Sequence, residues 1–188
     1  MARKEKNTKY MVYIMAFLMI SSVFAVMFYG FSDQGDTISY GKFKFNKQER
    51  GWTLNTKVQT YTLDYLPQEV EVFNVSEDIA NKLKGALEID VTSKVDDKNI
   101  DNIGYAEYSI ATNLPQKFIR VGFITNSSYE APIVTCSDAT SIVPVIYFVT
   151  GNETKIIEEN NCIIAQSRDE FGFVRIKDRL LYAVIGVI

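Results

Sequence analysis

A run of 22 uncharged, mostly apolar residues, from Tyr10 to Phe31, constrains this chain more than any other feature of its sequence. At a rise of about 1.5 Å per residue, an α-helix of this length matches a hydrocarbon core roughly 30 Å thick. The sequence therefore predicts a transmembrane helix over residues 10–31. A tail (1–9) precedes the helix, and a linker (32–37) and a single domain (38–188) follow it.

Charges on the two sides of the run predict its orientation. Basic residues lie before the run and acidic residues lie after it: Arg3, Lys4, Lys6 and Lys9 against Asp33 and Asp36. The positive-inside rule then places the N-terminus in the cytoplasm and the C-terminal domain outside the cell membrane. A cleaved signal peptide is the alternative, because residues 23–25 (Val-Phe-Ala) resemble a processing site. The apolar run continues past this site without a polar segment, which favours an uncleaved anchor.

The part of the chain after Phe31 has 157 residues, enough for one domain with its own core. It carries 16 basic and 22 acidic residues, a net charge of −6. A surface of this charge repels phosphate backbones, which are bound by clustered Lys and Arg. Nucleic acid is therefore excluded as an expected partner, and the membrane remains the expected one.

The chain contains no histidine. This excludes Ser-His-Asp and Cys-His catalysis, and also zinc, copper or haem sites that use imidazole ligands. The common glycine-rich nucleotide motifs and the hydrolase motifs are missing as well. No cofactor and no metal site is predicted. An enzyme of this composition would need paired carboxylates, a Ser-Lys couple or a carboxylate-bound metal.

The two cysteines, Cys136 and Cys162, are 26 residues apart, unlike the C-x-x-C spacing of redox or zinc pairs. Outside the membrane a disulfide persists, and closing a loop of this length stabilises the fold by about 3 kcal/mol in the chain-entropy model. The sequence predicts this disulfide, with a pair of free buried thiols as the alternative. Three acceptor sites for N-glycosylation, at Asn74, Asn126 and Asn152, all follow the run.

Hydrophobic periodicity after residue 37 alternates between strand-like and helix-like stretches. Two or three antiparallel strands are predicted up to Pro67, with a bulge at Gly41. The later elements are a helix over 76–84, a strand over 87–91, a helix from about 97 to 114, strands over 118–125 and 142–150, a hairpin over 155–166 and a helix over 168–186. The predicted fold class is α+β (or α/β), a mixed sheet flanked by helices with an N-terminal antiparallel meander.

Several side chains are assigned from this pattern. Asp138 and Thr140 lie just before a buried strand, where loops collect ligands, or else they form a local turn. Asp178 and Arg179 are expected to form an exposed or half-buried ion pair, or to reach a partner across the sheet. Strand 87–91 is expected to bury one face. The apolar face of the last helix is expected to comprise Phe171, Val174, Leu181, Val184 and Ile185.

Several short segments resemble uncharacterised single-span archaeal envelope proteins. In the second half of the domain they are 136–140 (Cys-Ser-Asp-Ala-Thr), 143–146 (Val-Pro-Val-Ile), 151–154 (Gly-Asn-Glu-Thr), 161–164 (Asn-Cys-Ile-Ile) and 178–182 (Asp-Arg-Leu-Leu-Tyr). In the first half they are 51–52 (Gly-Trp) and 65–67 (Tyr-Leu-Pro), followed by 70–71 (Val-Glu). The resemblance implies an archaeal envelope setting and a recurring pairing of Cys136 with Cys162. It implies no catalytic residues.

Three functions are consistent with the sequence. The first is a membrane-anchored extracytoplasmic domain that binds or organises an envelope protein or surface polymer without catalysis. The second is a histidine-free envelope hydrolase, which needs two carboxylates with raised pKa values about 5 to 10 Å apart in an open pocket. The third is an accessory subunit of a membrane complex, whose helix packs against other helices.

Overall fold

The computed structural model describes residues 2–30, 36–126 and 128–188, of which 2–9 and 25–30 are described by their backbone alone. The chain divides into two compact units, Met1–Thr37 and Ile38–Ile188. The first contains helix α1, Ala2–Gly30, of 29 residues. Phe31 and most of the predicted linker lie outside the described residues.

Large apolar side chains of α1 between Tyr10 and Phe24 are 55 to 74% exposed. Apolar residues lie on all sides of this stretch, so it has no polar face of the kind that a surface helix of a globular protein turns to water. Among the residues whose side chains are described, no helix is both long enough and apolar enough to cross a membrane.

The second unit opens with a meander of four strands, where the sequence predicts two or three antiparallel strands. Its strands are β1 (Thr37–Tyr40), β2 (Phe43–Lys47), β3 (Trp52–Asn55) and β4 (Thr60–Leu63), paired in that order. The register sets Phe45 opposite Leu54 and Leu54 opposite Tyr61, so one face of the meander is apolar. Gly41, expected in a bulge, has φ +54° in the two-residue turn between β1 and β2, where glycine meets no steric cost.

A mixed five-stranded sheet forms the centre of the unit, as predicted. Its strand order is β6-β5-β7-β9-β8, with β8 antiparallel and the others parallel. The strands are β5 (Glu88–Ser93), β6 (Phe118–Phe123), β7 (Val145–Thr150), β8 (Lys155–Glu159) and β9 (Cys162–Ser167). Strand β7 begins three residues later than predicted, because Thr140 closes a turn with the amide of Val143 (2.9 Å).

The described part of the unit also contains four α-helices: α2 (Pro67–Val70), α3 (Glu77–Gly85), α4 (Ile100–Asn113) and α5 (Glu170–Ile185). Asp169 caps α5 by accepting a hydrogen bond from the Gly172 amide (2.9 Å), and Gly186 ends the helix in the left-handed conformation. The predicted bounds of α3, α5 and the hairpin of β8 and β9 are confirmed to within two residues, whereas α4 begins three residues later than predicted.

Helix α5 lies between the two sheets. Phe173 packs against Phe148 of β7, with ring centroids 6.2 Å apart, and Tyr182 packs against Phe45 of β2, with centroids 5.9 Å apart. The predicted apolar face is therefore wrong in part, because Phe171 is 59% exposed. A helix that packs against partners on two sides buries more of its circumference than a helix with one apolar stripe. The core residues of α5 include Phe173, Ile176 and Leu180.

Strand β5 is buried on both faces, contrary to the prediction of one. Ile89 and Val91 join the main core, whereas Asp90 and Thr92 are buried on the other face of the strand. The Thr92 hydroxyl donates to the carbonyl of Val134 (2.7 Å). The segment that follows β6 approaches so closely that a Cβ on Gly122 would lie 2.4 Å from the carbonyl oxygen of Pro132.

A buried charge cluster joins α5 to the meander. The Lys177 ammonium is fully buried and lies 2.5 Å from Asp64 Oδ2 and 2.6 Å from Asp178 Oδ1. Asp178 Oδ2 accepts from the backbone amides of Asp64 and Tyr65, each at 2.8 Å. Burial raises the pKa of Asp178 to about 6 against the opposing effect of Lys177. The expected pairing of Asp178 with Arg179 is wrong, because Arg179 donates to the Phe73 carbonyl instead (2.9 Å).

Replacing Lys177 with Met tests this cluster. The substitution leaves the Asp178 carboxyl buried without its cation, so we expect the free energy of unfolding to fall by about 3 to 5 kcal/mol. The matched control is Lys155→Met, because Lys155 pairs with Glu153 in solvent and contributes little. Urea unfolding of the full chain measures both variants. Equal effects of the two substitutions would contradict a structural role for the buried cluster.

Candidate functional site

An open groove of about 680 Å³ lies between α3 and the hairpin of β8 and β9. Every residue that lines it has a polar side chain, which together supply two carboxylates, one ammonium, three carboxamides and one hydroxyl. The lining residues are Asp78, Asn81, Lys82, Ser141, Glu158, Asn160 and Asn161.

Helix α3 contributes one wall through its sequence spacing. Asp78, Asn81 and Lys82 are three and four residues apart, so they share one face of the helix. Ile79 and Leu83 occupy the opposite face and are buried in the core. The Ser76 hydroxyl caps the helix by accepting from the Ile79 amide (3.2 Å), which fixes where this face begins.

The hairpin contributes the other wall. Asn160 and Asn161 have φ values of +50° and +69°, the left-handed pair that a two-residue type I′ turn requires. Lys82 crosses the base of the groove and binds both the Glu158 carboxylate and Asn161 Oδ1, the latter at 2.9 Å. This ion pair is mostly buried, so it holds the two walls together more firmly than an exposed pair would.

The predicted disulfide between Cys136 and Cys162 is confirmed. Cys162 follows Asn161 directly and begins β9, whereas Cys136 lies in a 3-10 turn, Cys136–Asp138. Val134, Val145 and Cys162 form a small second core on the face of the sheet opposite α5. The disulfide therefore anchors the segment that carries Ser141 beside the turn that carries Asn160 and Asn161.

Asp138 and Thr140, the predicted ligand residues, do not line the groove. Asp138 Oδ2 accepts from the amide (2.7 Å) and the hydroxyl (2.9 Å) of Thr135, and these bonds hold the pKa of its carboxyl below the usual range. The Thr140 hydroxyl accepts from the amides of Ile142 and Val143. Both side chains thus shape the loop that delivers Ser141, and a ligand role for them stays a prediction.

The three predicted glycosylation sites, Asn74, Asn126 and Asn152, are all exposed. Asn74 precedes α3, Asn126 follows β6 and Asn152 lies in the turn between β7 and β8. Ser127, in the middle of the second acceptor site, lies outside the described residues. Modification at these three positions stays a prediction.

Carboxyl groups with raised pKa values lie away from the groove. Burial raises the pKa of Glu107 to about 7, against a smaller opposing effect of the Ser93 hydroxyl. Glu107 and Asp178, the other carboxyl group with a raised pKa, are both buried. Neither contributes to the lining. The arrangement that the hydrolase hypothesis needs, two such groups in an open pocket, is thus not found among the described residues.

The groove also lacks the elements of Ser-Lys chemistry. Within the described part of the chain no hydrogen bond joins Ser141 to Lys82, whose ammonium is held by Glu158 and Asn161. No group of three or more Cys, Asp or Glu side chains there is arranged to hold a metal ion. Carboxamides and a hydroxyl both donate and accept hydrogen bonds and the Asp78 carboxylate accepts them, so the groove is suited to binding polar groups.

No motif in the sequence predicts the groove. Local signals were present, since Ser76 marks a helix start and the Asn160-Asn161 pair marks a tight turn. The missing information was long-range, because Lys82 and Glu158 are 76 residues apart and no motif links them. Comparisons with protein-family models, with curated proteins and with solved structures find no match to this chain.

The buried Glu107 carboxyl makes the stability of the domain depend on pH. Its pKa is about 7 in the folded state and near 4.5 when unfolded, so the folded state binds the extra proton between these values. Stability from this group is complete below pH 4.5 and is lost as the pH rises through 7. We expect Glu107→Gln to remove this loss. The stability of the variant minus that of wild type should therefore rise by roughly 3 kcal/mol between pH 4 and pH 8.

Urea unfolding of wild type and Glu107→Gln over this pH range measures the difference. Asp101→Asn, on the same helix but exposed, is the control and should leave the pH profile unchanged. Parallel profiles for wild type and Glu107→Gln would show that Glu107 ionises normally in the folded protein.

Proposed function

We propose that this chain is a membrane-anchored extracytoplasmic domain that binds or organises envelope material without catalysis. The observation that carries the proposal is the open polar groove, whose walls are held by the Lys82–Glu158 pair and flanked by the disulfide. A groove that offers carboxamides and a hydroxyl but no activated group fits a binding role. The resemblance to archaeal envelope proteins agrees with this assignment.

The membrane anchor is proposed from the sequence. The uncharged run begins at Tyr10, and the α1 backbone is helical through Gly30. Its large apolar side chains between Tyr10 and Phe24 are exposed and lie on all sides of the stretch, as expected for a helix in contact with lipid. The basic tail and the disulfide agree with a cytoplasmic N-terminus and a domain outside the cell membrane.

Hydroxyl-rich and amide-rich surface polymers are the ligands that suit this groove best. Asn81 and Asn160 each present both a donor and an acceptor, which matches sugar hydroxyls and peptide groups alike. Asp78 adds an acceptor in the first turn of α3. The net charge of −4 on residues 38–188 disfavours strongly acidic polymers, so a neutral or weakly basic polymer is the expected partner.

Binding through the groove is tested with the double variant Asp78→Asn/Asn81→Ala. It removes a charged acceptor and a carboxamide from exposed positions, and we expect about tenfold weaker binding. The probe is the polymer fraction of the native envelope, freed of protein by protease, in co-sedimentation with the detergent-solubilised full chain. Asp101→Asn/Asn102→Ala on α4, a comparable change outside the groove, should bind like wild type. Equal loss in both variants, or none in either, would refute the groove as the site.

Topology is tested by the intact mass of the full chain from its own membranes, with thiol alkylation before and after reduction. We expect two alkylations, at Cys136 and Cys162, only after reduction, and we expect the N-terminal residues to be retained. Alkylation without reduction would argue against an outward-facing domain. A mass that corresponds to cleavage near Ala25 would replace the anchor with secretion.

A further inference from the structure

Strand β6 is one edge of the five-stranded sheet and leaves part of its backbone unpaired. In a parallel ladder, alternate residues turn both their N–H and C=O groups toward one neighbour. Phe118 N donates to the Leu87 carbonyl (2.8 Å) and Ile124 N donates to the Ser93 carbonyl (3.0 Å), so the even-numbered residues face β5. Ile119, Val121 and Phe123 therefore face away from the sheet.

Only the end of this edge is covered. Phe123 donates to the Pro132 carbonyl (3.0 Å) and accepts from the Val134 amide (2.9 Å). No described residue hydrogen-bonds to the outward backbone groups of Ile119 or Val121. Beside them the Phe118 side chain is 63% exposed and the Val121 side chain is 38% exposed. The open part of β6 therefore offers backbone groups and apolar surface together.

Features that usually protect an edge strand are missing from β6. Six consecutive residue pairs join it to β5, from Glu88–Phe118 to Ser93–Phe123, without a bulge, and it contains no proline. Its single charged residue, Arg120, binds the buried Asp90 carboxylate through two nitrogens. The opposite edge, β8, carries a charged residue at three of its five positions. The two edges of one sheet thus differ in whether they repel another strand.

We propose that β6 pairs antiparallel with β6 of a second copy of this chain and joins two five-stranded sheets into one. Two-fold symmetry allows few registers, because only outward-facing residues form ladder bonds. Setting Ile119 opposite Val121 places the two Arg120 side chains directly opposite each other, and like charges in that position are unfavourable.

Setting Ile119 opposite Ile119 of the second copy avoids this repulsion. Arg120 then lies opposite Phe118, and the guanidinium meets an aromatic ring rather than another cation. The two Ile119 residues exchange two hydrogen bonds. Each Val121 amide donates to the Lys117 carbonyl of the other copy. Within each copy the Lys117 N–H already donates to the Leu114 carbonyl (2.9 Å). This register gives four backbone hydrogen bonds between the copies, leaves only the Val121 carbonyls to solvent, and sets no like charges against each other. The edge thus complements itself closely enough to favour a second copy as the occupant.

Cross-linking tests the register directly. The full chain in detergent is prepared as two variants, Lys117→Cys and Val121→Cys, and oxidised mildly with the native disulfide intact. In the proposed register positions 117 and 121 are opposed, with Cα atoms about 5.5 Å apart, within reach of a disulfide. Two copies of position 117, or two of 121, lie about 14 Å apart. We expect at least tenfold more cross-linked dimer from the mixture than from either variant alone, and no enrichment would overturn the register.

Sedimentation equilibrium of the full chain tests the pairing itself. Val121→Pro removes an outward N–H without touching the bonds to β5, and we expect at least tenfold weaker dimerisation. Val121→Thr keeps the N–H and should stay within threefold of wild type. Should Val121→Pro fail to fold, Phe118→Lys at an exposed position sets a cation against Arg120 of the second copy and should weaken the dimer as strongly. A chain that is monomeric at every concentration, or a dimer that neither variant weakens, would overturn the proposal.

Discussion

The buried Lys177 ammonium is the interaction on which the architecture depends. A cation without solvent is tolerated only when carboxylates and further hydrogen bonds compensate it, and here those come from two elements. Asp178 belongs to α5, whereas Asp64 follows β4 of the meander. Asp178 in turn binds the amides of Asp64 and Tyr65. The Lys177 charge on α5 is therefore compensated only when the meander is in register, so the two elements are expected to form cooperatively.

Placement of α5 between the sheets also fixes the walls of the groove. Helix α3 packs on α5 through Leu83, and the hairpin of β8 and β9 extends the sheet that α5 covers. On the far side of that sheet the disulfide holds Cys162 at the root of the hairpin turn. Asn160 and Asn161 are thus presented by a turn whose base is anchored twice. A binding site built on such elements loses little conformational freedom when a ligand arrives.

Elements with a clear local period were predictable from the sequence, whereas their partners were not. The three-and-four spacing from Ile100 onward gave α4, and the Glu159 to Asn161 turn with alternating flanks gave the hairpin. The prediction that Phe171 belongs to the apolar face of α5 is wrong because it assumed contact with one sheet, whereas the helix contacts two. The buried role of Asp178 and the groove both arise from contacts between distant residues, Asp64 with Asp178 and Lys82 with Glu158, for which a single sequence carries no signal.

The groove and the open edge lie at opposite ends of the five-stranded sheet, since β8 and β6 are its two outer strands. Neighbouring strands are about 4.8 Å apart, so pairing through β6 would set the two β8 strands, and the grooves beside them, roughly 43 Å apart. Neither groove would be covered by the pairing. A dimer of this kind could engage one extended polymer at two points, and the second contact would then be intramolecular. Weak binding by each polar groove is therefore compatible with firm attachment to a repetitive surface.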